Sequence, residues 1–282
     1  MMMNAICICG AGTMGNGIAQ VSASAGFKTI LYDVNEEMIQ KAKGKIEKDL
    51  QALIDKQKLA PDKKETILQQ FVFTSDIKDC IADIIIEAVI ENLEVKTSLF
   101  NQLAALNSDK TILATNTSSL SVSAIAKEIP KPERVAGLHF FNPAPVMKLV
   151  EVVRGEQTSE ETILQLVKLT KTFGKTPVVC KDSPGFIVNR VARPYYIESL
   201  RLIEEGIADF ETIDRLLESK GFKMGPFKLM DLIGNDINYA VSCSVYEQLN
   251  KPERLKPSSI QKEKVEKGEL GKKTGKGYYD YK

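Results

Sequence analysis

Apolar positions along this chain fall into two alternating patterns, and the alternation stops about two thirds of the way along. Apolar runs of strand length occur at 5–9, 27–32, 71–73, 83–89, 111–115, 135–140, 149–153 and 176–180. Between them lie longer segments with helical spacing, at 14–25, 36–57, 92–106 and 160–173. Leu59-Ala60-Pro61 breaks the longest of these, and a further polar helix runs from there to about Gln70. Strands alternating with helices predict an α/β fold, a Rossmann-type doubly wound, mostly parallel sheet covered on both faces. Beyond Lys181-Asp182-Ser183-Pro184-Gly185 no strand pattern remains, and helices are predicted over 186–205, 209–219 and 226–249. Two domains are therefore expected, α/β over 1–183 and all-α over 184–282. The helical part is rich in apolar residues for its size, which suggests that it packs on a second copy of itself.

Composition narrows the class without changing the fold. With 43% hydrophobic and 27% charged residues, the chain reads as a globular protein in water. A formal net charge of +1 supplies no field that would favour nucleic acid or a membrane surface. The longest apolar runs are too short to span a bilayer. Met1-Met2-Met3-Asn4 leads directly into the first strand, so no signal peptide is expected and a cytoplasmic location follows. The five cysteines have no metal-ligand spacing and read as core thiols in a reducing compartment. Cys7 and Cys9 fall on one face of the first strand.

The first strand runs into Gly10-Ala11-Gly12-Thr13-Met14-Gly15, and Asp33 closes the second strand. Gly10 permits a tight turn, Gly12 lets the backbone approach a pyrophosphate, and Gly15 lets the following helix pack close. The amide end of that helix favours an anion. Asp33 is placed to accept both ribose hydroxyls. It would repel a 2′-phosphate, and no Arg follows in Val34-Asn35-Glu36-Glu37, so NAD (NADH) is favoured over NADP. The alternatives are an α/β turn that binds nothing, or one that binds FAD.

His139 is the one histidine in the chain. It ends an apolar strand at the edge where such sheets bind ligands, just before Phe141-Asn142-Pro143-Ala144-Pro145. Imidazole is the side chain whose ordinary range lies near neutrality, which suits proton transfer. If strands 135–140 and 149–153 pair antiparallel about Pro145, His139 faces Glu151 on the same side of the sheet. A carboxylate there would fix the imidazole tautomer and stabilise an imidazolium. The competing reading is a Glu on an exposed face. Ser118 lies in the loop Asn116-Thr117-Ser118-Ser119, which reads either as a substrate contact or as a turn and helix cap. Asn189 opens the helical domain, either as a substrate contact or as a surface amide. Glu91 and Lys96 flank a helix, either touching the cofactor or as surface charges.

Together these segments resemble the L-3-hydroxyacyl-CoA dehydrogenase family, short-chain type. The likeness is carried by Gly10–Gly15, Glu87-Ala88-Val89-Ile90-Glu91-Asn92, Ala114–Leu120, Gly137-Leu138-His139-Phe140-Phe141-Asn142-Pro143 and Met147–Val153. It continues through Asp182–Arg190, Met224-Gly225-Pro226-Phe227 and Lys272–Gly277, and so covers essentially the whole chain. The resemblance implies an oxidoreductase that interconverts (S)-3-hydroxyacyl-CoA, such as 3-hydroxybutyryl-CoA, and 3-oxoacyl-CoA by hydride transfer to or from NAD. It implies a homodimer whose second domain serves the substrate cleft and dimerisation. It implies His139 as acid/base with Glu151 as its partner, and Ser118 and Asn189 as contacts to substrate oxygens. Gly10, Gly12, Thr13, Met14, Gly15, Asp33, Glu91, Lys96, Ser118, Asn142 and Lys273 would meet NAD, and Lys56, on the lysine-rich helix, would approach CoA. Read without the resemblance, that helix is equally a solvated charged face. No metal is implied. A related dehydrogenase of free 3-hydroxy acids and a non-catalytic NAD-binding protein are the rival readings.

Overall fold

A computed structural model describes residues 5–281. Residues 1–4, on which the expectation of no signal peptide rests, lie outside the described residues. Chain contacts divide the molecule into two compact units, one ending at Asp182 and the next beginning at Ser183.

The first unit is built on eight strands: β1 (Ala5–Cys9), β2 (Lys28–Tyr32), β3 (Phe71–Thr74), β4 (Ile84–Glu87), β5 (Ile112–Thr115), β6 (Val135–Phe140), β7 (Leu149–Arg154) and β8 (Thr176–Lys181). They form one sheet in the order β3-β2-β1-β4-β5-β6-β7-β8. Every pairing is parallel except β6 with β7, where His139 lies opposite Glu151. The doubly wound, mostly parallel sheet expected from the sequence is what forms. Six helices connect the strands: α1 (Thr13–Ser24), α2 (Glu36–Asp55), α3 (Pro61–Leu68), α4 (Leu93–Leu106), α5 (Val122–Ala126) and α6 (Glu160–Thr172).

Strand alternation divides the apolar residues between two faces. Ile6, Ile8, Leu31, Ile84, Ile86, Leu138 and Val150 join Ile18 of α1, Ile39 and Ile46 of α2 and Leu166 of α6 in one core cluster. Cys7, Cys9, Ile30, Ile85, Leu113 and Val135 join Leu99 and Phe100 of α4 and Ile125 of α5 in the other. A sheet buried on both sides needs apolar residues at successive positions, which is why these strands read as continuous apolar runs.

The second unit contains α7 (Val188–Glu204), α8 (Phe210–Ser219), α9 (Pro226–Ile233), α10 (Asn235–Gln248) and α11 (Ser259–Glu266). The sequence reading of one helix over 226–249 is corrected here. Gly234 adopts φ +103° and separates α9 from α10, a left-handed turn that residues with a Cβ rarely take. Buried Asp231 accepts from the Tyr278 and Tyr279 amides and from the Tyr281 hydroxyl, and so fastens the C-terminal segment to α9. Arg193 is buried on α7 and donates to the Asn238 carbonyl and the Ser242 hydroxyl. Among the described residues no helix is long and apolar enough to cross a membrane.

Candidate active site

Strands β1, β2, β4, β5 and β6 run parallel, so the segments that follow them share one edge of the sheet. That edge carries the Gly10–Gly15 turn, Asp33, the 88–92 segment, the 116–119 loop and the 141–147 loop. In doubly wound sheets, ligands bind at this edge.

The turn after β1 has little freedom to be anything else. Gly10 sits at φ +102°. A Cβ on Gly15 would lie 1.7 Å from the Gly10 carbonyl oxygen, whereas one on Gly12 would meet nothing within 4 Å. Glycine is therefore needed at 15 for packing and leaves the surface open at 12. Gly12 caps α1 without a side-chain acceptor, so the first-turn amides of α1 have no side-chain cap of their own. Thr13 and Met14 begin that turn. The Asp33 carboxylate accepts from the Ala11 amide at 2.8 Å and from the Asn35 amide at 3.0 Å, which ties the end of β2 to the turn. An open glycine turn, uncapped helix amides and a carboxylate at the neighbouring strand end fit a dinucleotide.

His139 Nδ1 and Glu151 Oε2 are 2.7 Å apart. His139 is 5% exposed and Glu151 is 0% exposed, which overturns the reading of Glu151 as a residue on an open face. A charge buried this deeply is costly without a partner, and the imidazole is that partner. Phe141 packs on the imidazole with ring centroids 4.5 Å apart. The Phe140 amide donates to Asn116 Oδ1 at 2.8 Å, joining the strand end that carries His139 to the loop that carries Ser118.

The 116–119 loop is organised by Glu91. One of its carboxylate oxygens accepts from the Thr117 hydroxyl, the Ser118 and Ser119 amides and the Ser119 hydroxyl, at 2.6–3.1 Å. Burial alone would raise this carboxyl. The Lys96 ammonium and these donors outweigh burial and hold it below the usual carboxylate range.

Lys96 is not the surface charge the sequence allowed for. It is 1% exposed, and its ammonium meets Glu87 at 2.6 Å, Glu91 at 3.3 Å and the Val89 carbonyl at 3.5 Å. The ammonium is thus held between Glu87 and Glu91 at the sheet edge. Glu87 closes β4, fully buried, and also accepts from the Val89 amide and the Thr115 hydroxyl. Burial pushes its carboxyl upward, and Lys96 and these donors pull against that.

Ser118 is half-buried and Asn142 exposed on this edge, while Lys56 is exposed at the C-terminus of α2. Asn189 and Lys273 belong to the second unit. Asn189 is half-buried on α7, and Lys273 pairs with Asp236 of α10 at 2.6 Å.

Sequence reasoning missed Glu87, Asn116 and Lys175 as parts of the site. Buried Lys175 donates to the carbonyls of Ala144 at 2.6 Å and Met147 at 2.7 Å, pinning the loop that follows His139. Burial, and then the Lys148 charge, hold its ammonium below the ordinary lysine value. An acid ending an apolar strand (Ile84-Ile85-Ile86-Glu87) is a signal available for Glu87. For Lys175 there is none, because its partners are about thirty positions away in the chain.

Residues 5–183 match the family model described as 3-hydroxyacyl-CoA dehydrogenase, NAD binding domain, and residues 185–281 match its C-terminal domain. The chain is 50% identical over its full length to a 3-hydroxyadipyl-CoA dehydrogenase of Escherichia coli, and spans 60% of that protein. It is 40% identical, again over its full length, to the mitochondrial hydroxyacyl-coenzyme A dehydrogenase of Sus scrofa, and covers 92% of it. The crystal structure of an (S)-3-hydroxybutyryl-CoA dehydrogenase from Ralstonia eutropha superposes with a TM-score of 0.95 at 37% identity, covering both chains fully. With both family models matched in order across nearly every residue, the chain belongs to the 3-hydroxyacyl-CoA dehydrogenase family, and its first unit is that family's NAD-binding domain.

Proposed function

We propose that this chain interconverts (S)-3-hydroxyacyl-CoA and 3-oxoacyl-CoA with NAD, 3-hydroxybutyryl-CoA and acetoacetyl-CoA being the favoured pair. The observation that carries the reading is the buried His139–Glu151 pair at the ligand-binding edge of an NAD-binding domain. NAD, when bound, supplies the hydride acceptor or donor. His139 takes the proton of the substrate's 3-hydroxyl during oxidation and returns it during reduction. Because Nδ1 faces Glu151, that proton passes through Nε2. Glu151 holds the tautomer and stabilises the imidazolium. Ser118 and Asn189 orient the substrate oxygens. Gly10, Gly12, Thr13, Met14 and Gly15 receive the pyrophosphate and Asp33 the ribose, which disfavours NADP. Glu91, Lys96 and Asn142 meet NAD, with Lys96 also steadying Glu91, and Lys273 and Lys56 serve the cofactor and CoA respectively.

The same reading makes the enzyme a cytoplasmic homodimer. All five cysteines are free, as a reducing compartment would leave them. Val191, Leu232 and Ile237 of the second unit are apolar and more than half exposed, which favours a partner surface there. A monomeric mass by light scattering at micromolar concentration would remove the dimer.

The deciding experiment follows the loss of NADH absorbance with acetoacetyl-CoA, in parallel with NADPH, with free acetoacetate and with 3-oxoadipyl-CoA. The last is included because of the name of the Escherichia coli relative. Rapid turnover of acetoacetyl-CoA with NADH is the expected result. Preference for the dicarboxylic thioester would move the substrate and leave the reaction. Turnover of the free acid alone, or NADH binding with no turnover, would refute the proposal.

A further inference from the structure

The sequence separates Cys80 from Cys7 and Cys9 by more than seventy positions, yet the fold brings all three together. Cys7 and Cys9 project from one face of β1 with sulfurs 3.8 Å apart. Cys80 follows a one-turn 3₁₀ helix at Ile77–Asp79, and the three sulfurs all lie within 4.8 Å of one another. Each of the three residues is fully buried. Three sulfurs bonded at about 2.3 Å around one pyramidal centre would stand about 3.5 Å apart, so a modest inward movement separates this arrangement from a ligand set.

We propose that Cys7, Cys9 and Cys80 form a binding site for trivalent arsenic oxyacid. The site has no part in the dehydrogenase chemistry. Its surroundings select the ligand. The sulfurs belong to the core cluster that contains Leu99, Phe100, Leu103 and Leu113, and the charges acting on Cys80 are the carboxylates of Asp76 and Asp79. Three thiolates around a monovalent or divalent cation would leave net negative charge buried among apolar groups, next to carboxylates, which is costly. Arsenous acid avoids this, since As(OH)₃ and three Cys–SH give As(S–Cys)₃ and three H₂O. Three As–O and three S–H bonds break, three As–S bonds form, each thiol proton leaves in a water molecule, and no atom changes oxidation state. The product is neutral. Soft sulfur ligands suit such a centre. Entry requires only that the short segment carrying Cys80 lift away, next to Ile81, which is already 53% exposed.

The test uses the full-length, reduced protein and sodium arsenite. Native mass spectrometry is expected to show one adduct per chain, heavier by one arsenic less three hydrogens. Alkylation in urea should label all five cysteines of the untreated protein, but only Cys180 and Cys243 of the arsenite-treated protein, sparing the other three. Cys80→Val, checked for folding by circular dichroism, should lose the adduct, and the Cys180→Ser/Cys243→Ser double variant should keep it. The absence of an adduct, protection of any other set of cysteines, or an adduct that survives in folded Cys80→Val would overturn the assignment. So would retention of copper(I) against a chelator at this cluster when arsenite does not bind. The alkylation pattern is read on the unmodified sequence, so a variant that fails to fold does not remove the test.

Discussion

Lys96→Met removes the cation from a fully buried carboxylate and leaves the apolar stem in place. Removing one partner of a buried ion pair costs about 3–5 kcal/mol when the other must remain charged. Two features here reduce that figure. Glu87 keeps the Val89 amide at 2.7 Å and the Thr115 hydroxyl at 2.8 Å. Burial also already holds its carboxyl above the ordinary value, and without Lys96 it rises further, so Glu87 takes up a proton rather than staying ionised. We expect a loss of about 2–3 kcal/mol near neutral pH. The sign of the pH dependence follows from the direction of the shift. A carboxyl whose folded-state pKa is raised destabilises the fold as pH rises through the window above its unfolded value, and protonation in acid relieves this. Between the Glu87 pKa of the parent and the higher one of the variant, the deficit should shrink by about 1.4 kcal/mol for each unit the pH is lowered. Urea unfolding followed by circular dichroism at several pH values measures this directly. The Glu87→Gln/Lys96→Met double variant should recover most of the loss, because the fully buried unpaired charge is gone while Glu91 keeps its donors from the 117–119 loop. A single-variant deficit below about 1 kcal/mol, a deficit that ignores pH, or a double variant no better than the single would refute the reasoning.

Other substitutions probe the site separately. His139→Gln and Glu151→Gln should each bind NADH normally and lose kcat by about 10²–10⁴-fold, measured by steady-state kinetics beside NADH fluorescence titration. Near-parental activity in His139→Gln would end the acid/base assignment. Lys175→Met strands the buried Ala144 carbonyl while water replaces the ammonium at exposed Met147, so about 1–3 kcal/mol of stability should go, along with turnover, with NADH affinity unchanged. Gly15→Ala drives a methyl into the Gly10 carbonyl, and its NADH affinity should fall at least about tenfold, or about 1.4 kcal/mol. Unchanged calorimetric affinity in Gly15→Ala would show that the turn yields more readily than its contacts imply.

The sequence discloses most where a contact is local and periodic. The hairpin of β6 and β7 is confined to residues 135–154, and in a strand pair the register follows from the turn, so His139 opposite Glu151 is legible in the residue pattern alone. The Gly10–Gly15 turn and Asp33 are legible for a related reason, since each glycine answers a steric demand within one βαβ unit. The break at Gly234 escapes such a reading because an isolated glycine in an apolar helical pattern is compatible with a continuous helix until its φ is known. Lys96, Lys175 and Cys80 resist it for another reason. None carries a local pattern that announces its role, and each is committed by partners from distant elements: Lys96 by a strand end and a loop, Lys175 by two carbonyls, Cys80 by β1.

That contrast bears on how the site is built. His139, Glu151 and Ser118 stand on the sheet edge, on strands or in the loops that follow them. What fixes those loops is a second set of buried charges, Glu87 with Lys96 behind Glu91, and Lys175 behind the 141–147 loop. Loops that must present polar groups to a ligand cannot be held by apolar packing alone, since their amides and carbonyls need partners whether or not a ligand is present. Buried ammonium and carboxylate groups meet that need at fixed positions, and the lost solvation is offset only while every partner stays in place. The Lys96→Met/Glu87→Gln cycle therefore tests more than one ion pair. If the double variant regains stability but not turnover, the buried charges are there to position the edge. If it regains both, the edge is held by the backbone, and the pair is a replaceable part of the core.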